Sequence, residues 1–156
     1  MANLKNAEKK WLKELKRQLE SGQYPKWPNE IMLKVLFGGN NYLTNPFVPL
    51  PTWKVLDVGC LFTNNLRPFS ELGCECYGVD INLEMVEISK KFAAENKINA
   101  NILHGSNRNL PFQDNYFDLI LSIGTIHYEG SEENVNKALK EFKRVLKPKG
   151  GVFIIT

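Results

Sequence analysis

The sequence predicts an α/β fold built on a doubly wound, mostly parallel sheet, and three observations lead there. Val55–Val58 is an apolar run between Lys54 and Gly59, the pattern of a parallel strand buried on both faces. Tyr77–Ile81 holds a second such run, closed by Asp80. From Trp53 onward, short apolar runs alternate with amphipathic stretches of helical length, the signature of repeated strand–helix–strand units.

Ahead of that core, residues 4–19 place Leu4, Ala7, Trp11, Leu15 and Leu19 on one helical face, with Lys5, Lys9, Lys13, Lys16 and Arg17 mostly elsewhere. Pro25 and Pro28 bracket a break, and Asn29–Phe37 reads as a second short helix ended by Gly38-Gly39-Asn40-Asn41. Pro46, Pro49 and Pro51 then exclude regular structure up to Trp53. Residues 1–50 are therefore expected to form a helical segment and Pro-rich linker, and residues 51–156 the α/β core. Within the core, strands are expected at 53–58, 75–79, 100–103, 117–122 and 151–156, and helices at 64–72, 83–95 and 132–146. Asn64 is expected to cap the first of these helices, Pro68 falls in its first turn, and Gly73 supplies a left-handed stop. Ser131 caps the last helix, Glu132 and Glu133 favour its positive end, and Val135, Ala138, Leu139, Phe142, Val145 and Leu146 form its buried stripe.

Composition narrows the function. A chain of 156 residues is enough for one core. Twenty basic against 17 acidic residues leave +3, too little to argue for nucleic acid, so small molecules or proteins are the expected partners. The basic first helix offers a weaker option, contact with anionic lipid or RNA. Three cysteines with no pair of CxxC units indicate neither a disulfide framework nor a metal site; Cys74 and Cys76 read as buried small hydrophobes in a reducing compartment. There is no signal-peptide pattern and no apolar run that would span a bilayer, and a cytoplasmic location is expected.

The chemistry concentrates at two strand ends. A carboxylate such as Asp80, closing the second strand beside the first strand-to-helix turn, can accept hydrogen bonds from both hydroxyls of a ribose. The pocket so formed suits an adenosine. Asp118, at the start of the fourth strand, lies at the opposite end and reads as structural.

Val55–Asn64 (VLDVGCLFTN) and Tyr77–Ile81 (YGVDI) resemble the first and second motifs of the class I S-adenosylmethionine-dependent methyltransferases. Gly105–Phe112 (GSNRNLPF), Phe117–His127 (FDLILSIGTIH) and Val145–Ile155 (VLKPKGGVFII) resemble later landmarks of that family, in the same order and at similar spacing. The resemblance implies a Rossmann-like sheet of strand order 3-2-1-4-5, normally followed by a further helix and an antiparallel pair. Those terminal strands are absent before Thr156, which leaves the fifth strand as an apolar edge to be covered by the N-terminal helices, a second copy or a missing segment.

The resemblance also assigns roles. S-adenosylmethionine is the implied cofactor, S-adenosylhomocysteine the product and a small molecule the acceptor. Asp57, Gly59 and Cys60 would sit under the methionine part, Asp80 on the ribose, Ile81 on the adenine face, Ser106 and Asn107 at the adenine edge, and Ser122 and Ile123 beside them. Many relatives carry an aspartate where this chain has Ser106. His127, just past the fourth strand, is the residue expected to orient the acceptor or take its proton, with Tyr128 beside it. Tyr24 and Trp27 either cover the methionine end or pack on the sheet. One departure stands out. The family pattern acid-x-Gly-x-Gly-x-Gly reads here Asp57-x-Gly59-x-Leu61-x-Thr63, which adds bulk where backbone normally meets cofactor and opens a second reading, a non-catalytic binding or assembly subunit.

Overall fold

The computed structural model describes residues 2–38 and 48–156, with side chains from Leu12 onward. The side chains of Leu4, Ala7 and Trp11, and residues Gly39–Asn41 and Pro46, lie outside the described residues. Five strands, β1 (Lys54–Val58), β2 (Glu75–Asp80), β3 (Ala100–His104), β4 (Phe117–Ile123) and β5 (Leu146–Ile155), form one sheet in the order β3-β2-β1-β4-β5. Every pairing is parallel. The expected order and class are thus observed.

The register fixes the site. Asp57 of β1 stands opposite Gly78 of β2 and Leu121 of β4, while Asp80 of β2 stands opposite His104 of β3. All these residues lie toward the carboxyl ends of their strands, and β1 is flanked by neighbours whose connections leave in opposite directions. That is the switch point at which open α/β sheets bind ligands.

Helices α1 (Ala2–Ser21), α2 (Glu30–Phe37), α3 (Arg67–Leu72) and α4 (Leu83–Glu95) pack on one face. There Leu15, Met32, Leu36, Phe69, Met85 and Phe92 share a core with Val55, Leu119 and Leu121. On the other face α5 (Glu132–Val145) buries Phe142 and Val145 against Leu56, Val58, Phe117 and Ile120. Helices α2, α4 and α5 each start on a polar cap. The side-chain oxygens of Asn29, Asn82 and Ser131 accept from Met32 N, from Glu84 N and Met85 N, and from Asn134 N.

The chain from β3 to β4 crosses without a helix. Arg144 of α5 holds it instead, donating to the carbonyls of Leu110 and Phe112 and to Asp114 at 3.1, 2.8 and 2.8 Å. Glu141 anchors the guanidinium and accepts from Leu110 N at 3.0 Å. Packed rings of Tyr77, Phe112, Tyr116 and Phe117 complete the seam.

Five local features depart from the sequence expectations, the first being Leu139, which is expected in the buried stripe of α5 and is 40% exposed. Residues 64–66 wind as a 3-10 turn before α3, and Asn64 does not cap it: its amide donates to the Pro25 carbonyl. A short 3-10 turn, Ile126–Glu129, follows β4. Strand β5 begins at Leu146 rather than 151, with a register shift against Phe117–Leu119. Finally, the N-terminal helices reach only one face of β5, where Phe153 packs against the core they share. Strand alternation puts Val152 and Ile154 on the α5 face, opposite those helices, where they stay 37% and 40% exposed. Asp118 behaves as expected, its carboxylate taking Lys54 N and Lys147 Nζ at the far end of the sheet.

Candidate functional site

The turn after β1 is built around one indispensable glycine. The N–H groups of Gly59 and Cys60 both donate to the Val79 carbonyl, at 2.8 and 3.1 Å, folding the chain back across β2. Gly59 has φ +70°, and a Cβ there would lie 2.3 Å from Thr125 Cγ2. Only a residue without a side chain lets the turn after β4 close this far.

Leu61 and Thr63 stand where the family has glycines, yet both adopt the left-handed conformation, with φ 44° and 55°. Such geometry costs an ordinary residue about 1–2 kcal/mol. The surroundings hold it in place. Ser89 Oγ donates to the Leu61 carbonyl, and the Leu61 N–H favours the charged form of Asp80. Leu61 packs on the core shared by α3 and α4, and Thr63 is fully buried. The altered loop therefore keeps its path, at a cost. Thr63 Oγ1 and Asn64 Oδ1 are buried there without a hydrogen-bond partner.

Two carboxylates close this crevice. Asp57 is 1% exposed and accepts from Asn65 Nδ2 at 3.5 Å. Burial pushes its pKa up to about 7, with Asn65 opposing the rise and Asp80 adding to it. Asp80 is 3% exposed. Its pKa is also raised by burial, against the N–H groups of Asn82, Ile81 and Leu61, which favour the charged form. Cys60 sits between them, its sulfur where a Cβ on Gly78 would come within 2.6 Å, and burial drives its thiol well above the ordinary range.

Beyond Asp80 the crevice opens into a cavity of about 240 Å³ lined by Ile81, His104, Gly105, Ser106, Asn109 and Pro111. Ile81 is 57% exposed, its carbonyl taken by His104 Nε2 at 3.0 Å. Reciprocal backbone bonds between Ser106 and Asn109 make the next turn. Asn107, at its tip, turns its amide to Glu129. On the other side, buried Ser122 shares a hydrogen bond of 2.9 Å with Thr125, and Ile123 is half-buried. His127 and Tyr128 are exposed, their rings 4.1 Å apart.

The structure thus gathers Asp57, Gly59, Cys60, Asp80 and Ser122 at the strand ends, and sets Ile81 and Ser106 on the cavity. Asn107 is drawn toward the β4 side. Tyr24 packs on Phe62 and Phe92, at ring distances of 5.0 and 5.5 Å, whereas Trp27 is 80% exposed. Sequence reasoning passed over His104, Thr125, Asn65 and Asn109. His104 carried a signal, since it closes a strand directly before Gly105. The contact of Thr125 with Gly59 is a tertiary accident of loop closure that no local pattern encodes. Among the described residues no cluster of histidine, cysteine or acidic side chains could hold a metal ion, and no helix is long and apolar enough to cross a membrane.

A doubly wound sheet of order 3-2-1-4-5 with paired acids flanking a tight first turn defines a Rossmann-like α/β domain of the methyltransferase type. A family model described as a methyltransferase domain matches residues 56–155, and the chain belongs to that family, the class I S-adenosylmethionine-dependent methyltransferases. It is 36% identical over 103 residues to an uncharacterized methyltransferase, YcgJ, of Bacillus subtilis, covering 65% of this chain and 40% of that one. It is 33% identical over 153 residues to an uncharacterized protein of Methanocaldococcus jannaschii, covering 92% and 61%. The solved structure of YcgJ superposes with a TM-score of 0.60 at 36% identity, over 66% of this chain and 43% of that one. A putative S-adenosyl-L-methionine-dependent methyltransferase from Methanococcus maripaludis gives 0.59 at 28% identity, over 65% and 46%. The chain therefore spans less than two thirds of the length of these relatives.

Proposed function

We propose that this chain is an S-adenosylmethionine-dependent methyltransferase acting on a small-molecule acceptor. The observation that carries the proposal is the pair of buried acids, Asp57 and Asp80, on either side of the Gly59 turn, with the cavity beside Ile81 one residue past Asp80. The residues fit the cofactor. The Asp80 carboxylate accepts from Asn82 N at 3.0 Å, one of the roughly four hydrogen bonds that a carboxylate can take, which leaves capacity for a ribose hydroxyl. Ile81 offers an exposed apolar face for adenine, with Ser106 and Asn109 at the edge. Leu61 is half-buried and packs against the core.

When bound, the sulfonium group supplies both the methyl and its own leaving group, so the protein needs to align rather than to attack. Asp57, Gly59 and Cys60 would hold the amino-acid end, and Ser122 and Ile123 its far wall. His127, exposed on the turn after β4, would orient the acceptor or accept its proton, with Tyr128 alongside. Relatives are named for tRNA, ubiquinone-biosynthesis O- and sterol 4-C-methylation. The slight net charge of +3 favours a small molecule over RNA for this chain. We assign the acceptor and cofactor to residues 51–156, and to residues 1–50 a supporting role.

Calorimetric titration with S-adenosylmethionine and S-adenosylhomocysteine tests the reading. Binding is expected from both, reduced about tenfold or more in Asp80→Asn, the scale of losing a hydrogen bond to a charged group. Absence of heat from either ligand at high protein concentration refutes it.

A further inference from the structure

The turn at Ser106–Asn109, on the cavity side, and the turn at Ile126–Glu129, which carries His127 and Tyr128, belong to different strand connections. One side chain joins them. Glu129 Oε1 accepts from Asn107 Nδ2 at 3.0 Å, and Glu129 Oε2 pairs with Arg108 Nε at 2.8 Å. The Glu129 side chain is only 9% exposed, whereas the Arg108 side chain is 41% exposed, so the carboxylate is shielded and the guanidinium meets solvent. Asn134, near the start of α5, completes the clamp by donating to the Glu129 carbonyl at 2.9 Å and accepting from Arg108 Nη1 at 3.4 Å.

The same 3-10 turn is tied to the first motif at its other end. Thr125 hydrogen-bonds Ser122 and sets its methyl group against Gly59. Glu129 therefore closes a ring of contacts that runs from the cavity turn, through the His127 turn, to the crevice above Asp57.

We infer that Glu129 is a positioning residue that makes the two turns move as one body, so that ligand binding at the cavity sets the placement of His127 and Tyr128. The inference rests on the methyltransferase reading for its ligand, but its mechanical half does not. The two carboxylate oxygens divide the work, one for each residue of the cavity turn. Replacement of the carboxylate by an amide keeps an acceptor for Asn107 and removes the charge facing Arg108.

Hydrogen exchange on the full chain without ligand tests the coupling first. Glu129→Ala is expected to lose amide protection in both 106–109 and 126–129, with β1, β2 and α4 unchanged, and Glu129→Gln to show a smaller loss in both. Loss in one turn alone, or in neither, overturns the inference. The second arm adds S-adenosylhomocysteine. In the wild type it should protect 126–129 as well as 106–109. Glu129→Ala should bind it about tenfold more weakly, with 126–129 no longer protected, and Glu129→Gln should fall between. Wild-type protein that binds no S-adenosylhomocysteine defeats the functional reading and leaves the coupling to be decided by the first arm. Ligand protection of 126–129 that survives Glu129→Ala defeats the coupling.

Discussion

Gly59→Ala should be the most damaging small substitution in the crevice, and its cost divides into two parts that can be measured apart. Gly59 holds φ +70°, where an alanine pays about 1–2 kcal/mol in backbone strain. Its new Cβ would lie 2.3 Å from Thr125 Cγ2, and overpacking of this kind costs about 1–3 kcal/mol. The expected total is about 2–5 kcal/mol, worth roughly 4–20 °C in melting temperature for a chain of this size. Thr125→Ser removes the offending methyl and keeps the hydroxyl that Ser122 uses. A double-mutant cycle by urea denaturation should give a coupling of about 1–3 kcal/mol, with the slope against denaturant unchanged and the strain part left over. A Gly59→Ala loss below about 1 kcal/mol, or one that Thr125→Ser leaves untouched, would show that the turns do not meet as described.

Three further outcomes are expected. Burial pushes the Asp57 pKa up to about 7 in the folded chain, above its unfolded value, so the folded chain binds the extra proton; the Asp57 contribution to stability is full below pH 4 and is lost as pH rises to about 7. Asp57→Asn should flatten that slope and raise urea resistance at pH 8 more than at pH 5; equal effects at both would contradict it. Arg144→Ala strips partners from two carbonyls and two carboxylates and should cost about 2–4 kcal/mol, with hydrogen exchange rising first at 110–116; uniform exchange across the chain would contradict the local anchoring. The half-exposed Val152 and Ile154 should promote self-association through β5, seen as a dimer in light scattering that Ile154→Lys dissociates; a monomer at high concentration would remove the homo-oligomer proposal.

What the sequence disclosed and what it hid follow from how local each feature is. Apolar run length and the Ser131 cap are local, and α4 falls at Leu83–Glu95 as the pattern predicts. Asp57 and Asp80 were legible because strand ends and tight turns carry their own signals. Asn64 was misread because its side chain found a carbonyl 39 residues away, on Pro25, instead of its own helix. The left-handed path of Leu61 and Thr63 was illegible for a similar reason. Ser89, Asp80 and the core impose it from outside the loop, and residue preference alone argues against it. The Glu129 clamp joins two connections whose proximity only the folded sheet creates.

A crystal structure of the chain grown with S-adenosylhomocysteine tests the central claim most directly. The account predicts adenosine in the cavity beside Ile81, with a ribose hydroxyl on the Asp80 carboxylate and the amino-acid end above the Gly59–Thr63 turn. Ligand bound elsewhere, or an empty crevice at saturating concentration with Leu61 and Thr63 barring entry, would contradict it.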